Sequence, residues 1–105
     1  VKRPYGWLEA YHETTIEKGK TKYVTKLMAL DLKEPWKILT LTPTFLDRED
    51  FRKILPDDGY VEEVVFTTGM IIDGDRTDFH SGIGDKWSVL ASFYTEDVDK
   101  FVRTK

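Results

Sequence analysis

Bulky and polar side chains alternate through most of the chain, and that pattern predicts strands. Gly6 to Ile16 reads GWLEAYHETTI, with Trp7, Tyr11 and Ile16 set among short polar stretches. The compact Glu17-Lys18-Gly19-Lys20 that follows contains a glycine able to take a positive φ. Tyr23 to Leu32 is then the return strand, so the opening of the chain predicts a hairpin. Within the return strand Met28, Leu30 and Leu32 share one face, with Ala29 and Asp31 on the other. Lys33-Glu34-Pro35 turns the chain, and Trp36 to Thr42 predicts a short strand that Pro43 ends. Phe45 to Leu55 suits either one helical turn or a charged surface excursion. Asp57-Asp58-Gly59 is turn chemistry.

The second half repeats the pattern. Val61 to Ile72 is rich in β-branched residues, with Gly69 placed for a bulge or a close approach. Asp73-Gly74-Asp75 predicts a hairpin turn, and Thr77 to Ser81 and Trp87 to Tyr94 complete about seven strands. Thr95 to Val102 predicts a short helix: Thr95 caps it, Glu96 and Asp97 occupy its first turn, and Val98, Phe101 and Val102 point inward. The fold class expected is all-β and mainly antiparallel, with a short C-terminal helix. No linker or low-complexity tract divides residues 1–105, which read as a single β-rich unit.

Composition narrows the function. A net charge of −3 gives no broad attraction to nucleic acid or to an anionic membrane, and no run of residues has the length and apolarity of a membrane helix. Cysteine is absent, which removes disulfides, thiolate metal sites and cysteine nucleophiles, and is compatible with a cytoplasmic protein. His12 shares a strand face with Ala10 and Thr14, away from Tyr11 and Glu13. Such a histidine either binds an anion or a substrate hydroxyl, or is satisfied by a hydrogen bond of its own. His80 has Asp78 and Asp85 near it in sequence, but two histidines 68 positions apart with scattered carboxylates form no ligand signature, so no metal is expected. The stretch from Asp73 to Asp78 has Asp78 where a calcium loop needs glycine, and reads as a turn. Gly82-Ile83-Gly84-Asp85 sets a carboxylate at a strand end, where it can cap the turn or accept sugar hydroxyls.

Taken in order, the segments resemble the mannoside phosphorylases and related glycosidases of glycoside hydrolase family 130, which are five-bladed β-propellers. The resemblance lies in Gly6-Trp7-Leu8 leading to Tyr11-His12, then in Met28-Ala29-Leu30-Asp31-Leu32-Lys33-Glu34-Pro35 with Ile38-Leu39-Thr40-Leu41-Thr42-Pro43. It continues in Val64-Val65-Phe66-Thr67-Thr68-Gly69 and in His80-Ser81-Gly82-Ile83-Gly84-Asp85 before Trp87-Ser88-Val89-Leu90. It covers nearly the whole chain and implies about two blades from the C-terminal part of such a ring. The resemblance implies His12 as a phosphate ligand, Asp85 in the mannose site and Tyr23 on the acceptor side. It implies inverting transfer of a β-mannosyl group to inorganic phosphate or to water, with no metal or organic cofactor and a mannose-containing oligosaccharide as partner.

A five-bladed ring needs about 200 residues or more. The family's catalytic acid lies upstream of the matched region, so no catalytic residue is expected in this chain, and by itself the chain is expected to be inactive. Glu13 stands where the family has glycine, which sets a carboxylate next to His12; Thr67, His80, Ser81 and Glu63 are further departures. The alternative is a non-catalytic β-domain that binds carbohydrate, or that assembles as a homo-oligomer or with the remainder of a larger propeller.

Overall fold

A computed structural model describes residues 1–51, 63–84 and 87–104. Its elements are β1 (Lys2–Arg3), β2 (Gly6–Glu17), β3 (Lys20–Leu30), β4 (Ile38–Leu46), a 3₁₀ turn (Arg48–Phe51), β5 (Glu63–Asp73), β6 (Arg76–Ile83), β7 (Trp87–Tyr94) and α1 (Thr95–Arg103). Strands β1 to β4 form one antiparallel sheet and β5 to β7 another. The two are joined by a short parallel contact, in which Lys22 pairs with Glu63 and Tyr23 with Val64. The all-β class and the C-terminal helix are as expected from the alternation.

Both predicted hairpins form. Lys18 (φ 53°) and Gly19 (φ 76°) both lie in the left-handed region, the requirement of the two-residue turn whose twist matches its strands. Gly74 (φ 60°) serves the β5–β6 turn. Gly6 is bound to its place more tightly: a Cβ there would stand 2.5 Å from the Leu30 carbonyl oxygen.

Three local expectations change. First, Pro43 does not end its strand. β4 starts two residues later than expected, at Ile38, and runs through the proline to Leu46. The strand lies outside the main path of the sheet, and Thr42 patches the ladder at the position where proline lacks an N–H. The Thr42 Oγ1 accepts from the Leu27 amide at 2.9 Å and donates to the Pro43 carbonyl at 2.9 Å. Second, of the ambiguous 45–55 stretch, Phe45 and Leu46 extend β4 and Arg48–Phe51 forms a 3₁₀ turn. Residues 52–55 and the Asp57-Asp58-Gly59 turn lie outside the described residues. Third, Thr95 is not the helix cap. Tyr94 takes that position without a side-chain cap bond, and the buried Thr95 hydroxyl shares a 2.8 Å hydrogen bond with Thr77.

The core lies between the sheets and is closed at one end by the helix. Leu8, Leu27 and Ala29 from the first sheet meet Val65, Phe79 and Ile83 from the second, with Val98 and Val102 from α1. Phe45 lies 5.0–5.1 Å from Phe79, Phe93 and Phe101, ring centre to ring centre, which ties β4, β6, β7 and α1 together. Burying one such ring contributes about 1.5–3 kcal/mol. Met28 and Leu30 turn to the far face of the first sheet, opposite the buried Leu27 and Ala29.

A polar clasp fixes the helix to the chain start. The Arg3 guanidinium donates to the Asp99 carboxylate (Nε to Oδ1, 3.1 Å), and the Tyr5 hydroxyl donates to the same oxygen at 2.8 Å. Partial burial pushes the Asp99 carboxyl up, but the Arg3 and Tyr5 hydrogen bonds and the Arg3 charge outweigh it, holding it below the ordinary carboxylate range. Burial and the neighbouring carboxylate push the Tyr5 phenol up. A carboxyl held low adds stability that is fully present above the unfolded pKa and is lost as pH falls through the folded one. Urea unfolding across acidic pH is therefore expected to show a declining limb that Asp99→Asn flattens; an unchanged limb would remove Asp99 from that role.

Candidate functional site

One face of the β2–β3 hairpin changes character along its length. Leu8 pairs with Ala29 and Ala10 with Leu27, all part of the apolar core. Further along, His12 pairs with Thr25 and Thr14 with Tyr23. Directly paired residues of an antiparallel ladder point to the same side, so all four side chains share the face that looks toward the second sheet. This polar end is also where β3 meets β5, which brings Phe66 and Thr67 against it.

Phe66 lies between the two nominated side chains of this region. The His12 ring meets it edge-on with centroids 4.5 Å apart, and the Tyr23 ring is tilted over it at 5.2 Å. His12 Nε2 stands 3.0 Å from the Thr67 carbonyl oxygen. A carbonyl can only accept, so the ring donates through Nε2–H. The histidine is thus held by a hydrogen bond of its own, one of the two readings that its strand position left open, and it is exposed.

Behind it runs a buried chain of hydroxyls. Thr25 Oγ1 and Thr67 Oγ1 are 2.9 Å apart, and Thr67 Oγ1 and Ser81 Oγ are 2.9 Å apart. The three side chains come from β3, β5 and β6, so the chain crosses from one sheet to the other. One residue on, β5 carries a bulge: Thr67 pairs with Ser81 and Gly69 with His80, leaving Thr68 as the extra, exposed residue. Gly69 was placed for a bulge or a close approach, and the bulge is what forms. A cavity of about 170 Å³ opens at this point, lined by Glu9, Ala10, Thr67, Thr68, Gly69 and Met70 among others.

The other candidates lie elsewhere. His80 sits on the far face of the second sheet, its Nε2 2.9 Å from Ser88 Oγ. Asp78, on the same face, accepts from Ser92 at 2.6 Å and pairs with Arg76 at 3.2 Å. Each has a partner on its own sheet, and among the described residues no group of three His, Asp or Glu side chains is placed to hold a metal ion. Asp85 lies outside the described residues. Glu13 does not place its charge beside His12, as its sequence position suggests: it faces the other side of the sheet and pairs with Lys26 at 2.9 Å.

Sequence reasoning missed Phe66, Thr67, Thr25 and Ser81 as neighbours of His12. The available signal was a small hydroxyl residue at an inward position on three separate strands. Arg48 was also missed; it is buried, and among the described residues its Nη1 has no hydrogen-bond partner. Removing the central hydroxyl with Thr67→Val strands both Thr25 and Ser81, and is expected to cost about 2–3 kcal/mol in urea unfolding. Thr25→Val, Thr67→Val and Ser81→Ala combined should cost less than the sum of the three single changes. Additive losses would show that the hydroxyls do not act as one unit.

Comparison with known proteins then places this geometry. No family model matches the chain. A β-1,2-mannobiose phosphorylase of Listeria innocua serovar 6a is 34% identical over 87 residues, covering 81% of this chain and 22% of that protein. A solved structure of β-1,2-mannobiose phosphorylase from Listeria innocua, in complex with β-1,2-mannobiose, superposes with a TM-score of 0.76 at 26% identity. That match covers 100% of this chain and 28% of the other, so the chain spans about a quarter of the length of the proteins it matches. The two sheets are accordingly blades of a propeller-type protein. Among the described residues no helix is long and apolar enough to cross a membrane. In sequence and in fold the chain is related to one portion of a glycoside hydrolase family 130 protein, the family that its motifs resemble.

Proposed function

We propose that the chain contributes part of a mannoside site of the phosphorylase kind, with His12 contacting phosphate and with Asp85 and Tyr23 contacting the sugar. The observation that carries this reading is the match to a β-1,2-mannobiose phosphorylase, in sequence over 81% of the chain and in fold over all of it. The local geometry supports it. His12 is exposed but oriented, the Tyr23 ring lies beside it across Phe66, and Thr67 and Thr68 are among the residues that line the bulge cavity. Sugars are recognised by this combination of flat apolar surface and directional polar groups.

The reaction would be transfer of a β-mannosyl group with inversion. A phosphate oxygen forms a bond to the anomeric carbon as the glycosidic C–O bond breaks on the opposite face. A carboxylic acid protonates the departing oxygen, directly or through a substrate hydroxyl. The part of this chain is binding: His12 holds the phosphate, Asp85 accepts sugar hydroxyls, and the acid is supplied from outside the chain. No metal or organic cofactor enters the scheme.

A second reading, association with copies of itself or with the rest of a ring, is supported by the far face of the first sheet. Ile38 and Leu41 are 57% and 56% exposed there, beside the partly exposed Trp7, Met28 and Leu30. A contiguous apolar face of this kind marks an interface.

Two measurements separate these statements. Titration with inorganic phosphate and with β-1,2-mannobiose is expected to show His12→Ala weakening phosphate by roughly tenfold or more, the worth of one charge-assisted hydrogen bond. Mannobiose affinity should stay nearly unchanged in His12→Ala and fall in Asp85→Asn; phosphate affinity that survives His12→Ala counts against the assignment. Light scattering during size-exclusion chromatography is expected to give a defined oligomer that Leu41→Glu dissociates. A monomeric parent chain would remove self-association.

A further inference from the structure

We infer that the Thr67 carbonyl makes His12 a two-ligand group: as an imidazolium it holds an anion, and as a neutral ring it accepts a hydroxyl and rejects a fully deprotonated anion. This rests on the assignment of His12 to the ligand site made above. The argument starts from the one contact that orients the ring. Nε2 faces a carbonyl oxygen at 3.0 Å, and an oxygen with no proton to give requires the proton on Nε2 in every charge state. The neutral ring then has a single tautomer open to it. Its Nδ1 carries a lone pair, and among the described residues that atom has no hydrogen-bond partner.

An oxygen of a fully deprotonated anion such as sulfate, brought to that lone pair, meets repulsion and has no proton to give. A sugar hydroxyl brought there donates a hydrogen bond. Protonation reverses the preference, because Nδ1–H then donates to a phosphate oxygen with the help of the ring's positive charge. The alternative of turning the ring over is blocked on two sides. It would leave the Thr67 carbonyl facing the ring without its donor, and the Phe66 edge contact at 4.5 Å is built on the present orientation.

The carbonyl is itself held firmly. Thr67 lies in the β5–β6 ladder opposite Ser81, and its side chain is bonded to Thr25 on one side and Ser81 on the other. Electrostatics around the ring are simple among the described residues. On its own strand Tyr11 and Glu13 face the other way, as do Lys22 and Lys26 across the ladder on β3. On the His12 face β3 contributes Thr25 and the phenol of Tyr23, and β5 contributes Phe66 and the Thr67 backbone. Among the described residues, no charged side chain on that face takes over the anion-holding role when the ring loses its proton. Occupancy by a fully deprotonated anion should therefore follow the protonation of one residue, while hydroxyl recognition persists above it.

The chain has two histidines, so ring-nitrogen NMR of the ¹⁵N-labelled full chain is decisive, with His12→Gln and His80→Gln used for assignment. The probes are inorganic phosphate and sulfate across about pH 5 to 8, sulfate being the anion whose charge stays constant over that range. The expected result has three parts. Neutral His12 shows the Nε2–H tautomer, each anion raises the His12 titration midpoint, and sulfate binds at least about tenfold more tightly below that midpoint than above it. An Nδ1–H tautomer in the neutral ring overturns the inference. So does sulfate binding that ignores the ring's charge, although the phosphate assignment then survives. If neither anion binds at any pH while the ring keeps Nε2–H, the phosphate assignment of His12 fails and this inference fails with it.

Discussion

Two sheets that share, among the described residues, a two-residue stretch of backbone pairing must be joined largely by their side chains, and the joint between β3 and β5 is the constraint on which the rest of this structure depends. At its apolar end the joint is made by Leu27, Val65 and Phe79, with area burial as the driving term. At its polar end burial alone would be costly, because Thr25, Thr67 and Ser81 each bring a hydroxyl out of water. They offset that cost by bonding to one another, and three hydroxyls in series tolerate little displacement of one sheet against the other.

That rigidity passes to the site. The Thr67 side chain locks the residue between sheets while its carbonyl points outward to His12. A side chain on a strand of the first sheet is in this way oriented by a backbone group of the second. Phe66 adds a steric limit, since the His12 and Tyr23 rings both rest on it. The bulge at Thr68 follows directly after the locked residue, so the break in the ladder and the cavity beside it fall where the framework is held most firmly.

How legible was this in the sequence? Features decided by neighbours along the chain were readable. The limits of β7 from Trp87 to Tyr94, the turns at Gly19 and Gly74, and the face shared by Ala10, His12 and Thr14 all follow from alternation and turn chemistry. Features decided across the fold were not. Pro43 ends a strand unless a side chain repairs the ladder, and Thr42 does so only because β3 presents the Leu27 amide to it. Thr95 has the chemistry of a cap, but a buried Thr77 opposite takes its hydroxyl. Glu13 stands beside His12 in sequence and on the opposite side of the sheet in space, where Lys26 neutralises it. The motifs therefore led to the family, while the partners of His12 belonged to strands about 55 and 13 positions away, at Thr67 and Thr25.

The two outward faces differ in a way that bears on what covers them. On the second sheet, Arg76, Asp78 and Ser92 satisfy one another and His80 has Ser88, so much of that face is at ease with water apart from Ile71, Leu90 and Tyr94. The first sheet carries Trp7, Met28, Leu30, Ile38 and Leu41 on its far side, relieved mainly by the Glu13–Lys26 pair. Both faces leave large apolar side chains exposed, Ile38 and Leu41 on the first sheet and Ile71, Leu90 and Tyr94 on the second, so each gains by burial. The chain also matches about a quarter of the length of a β-1,2-mannobiose phosphorylase structure. His12, on the inner face of the first sheet, is oriented by the Thr67 carbonyl whichever outward face is covered.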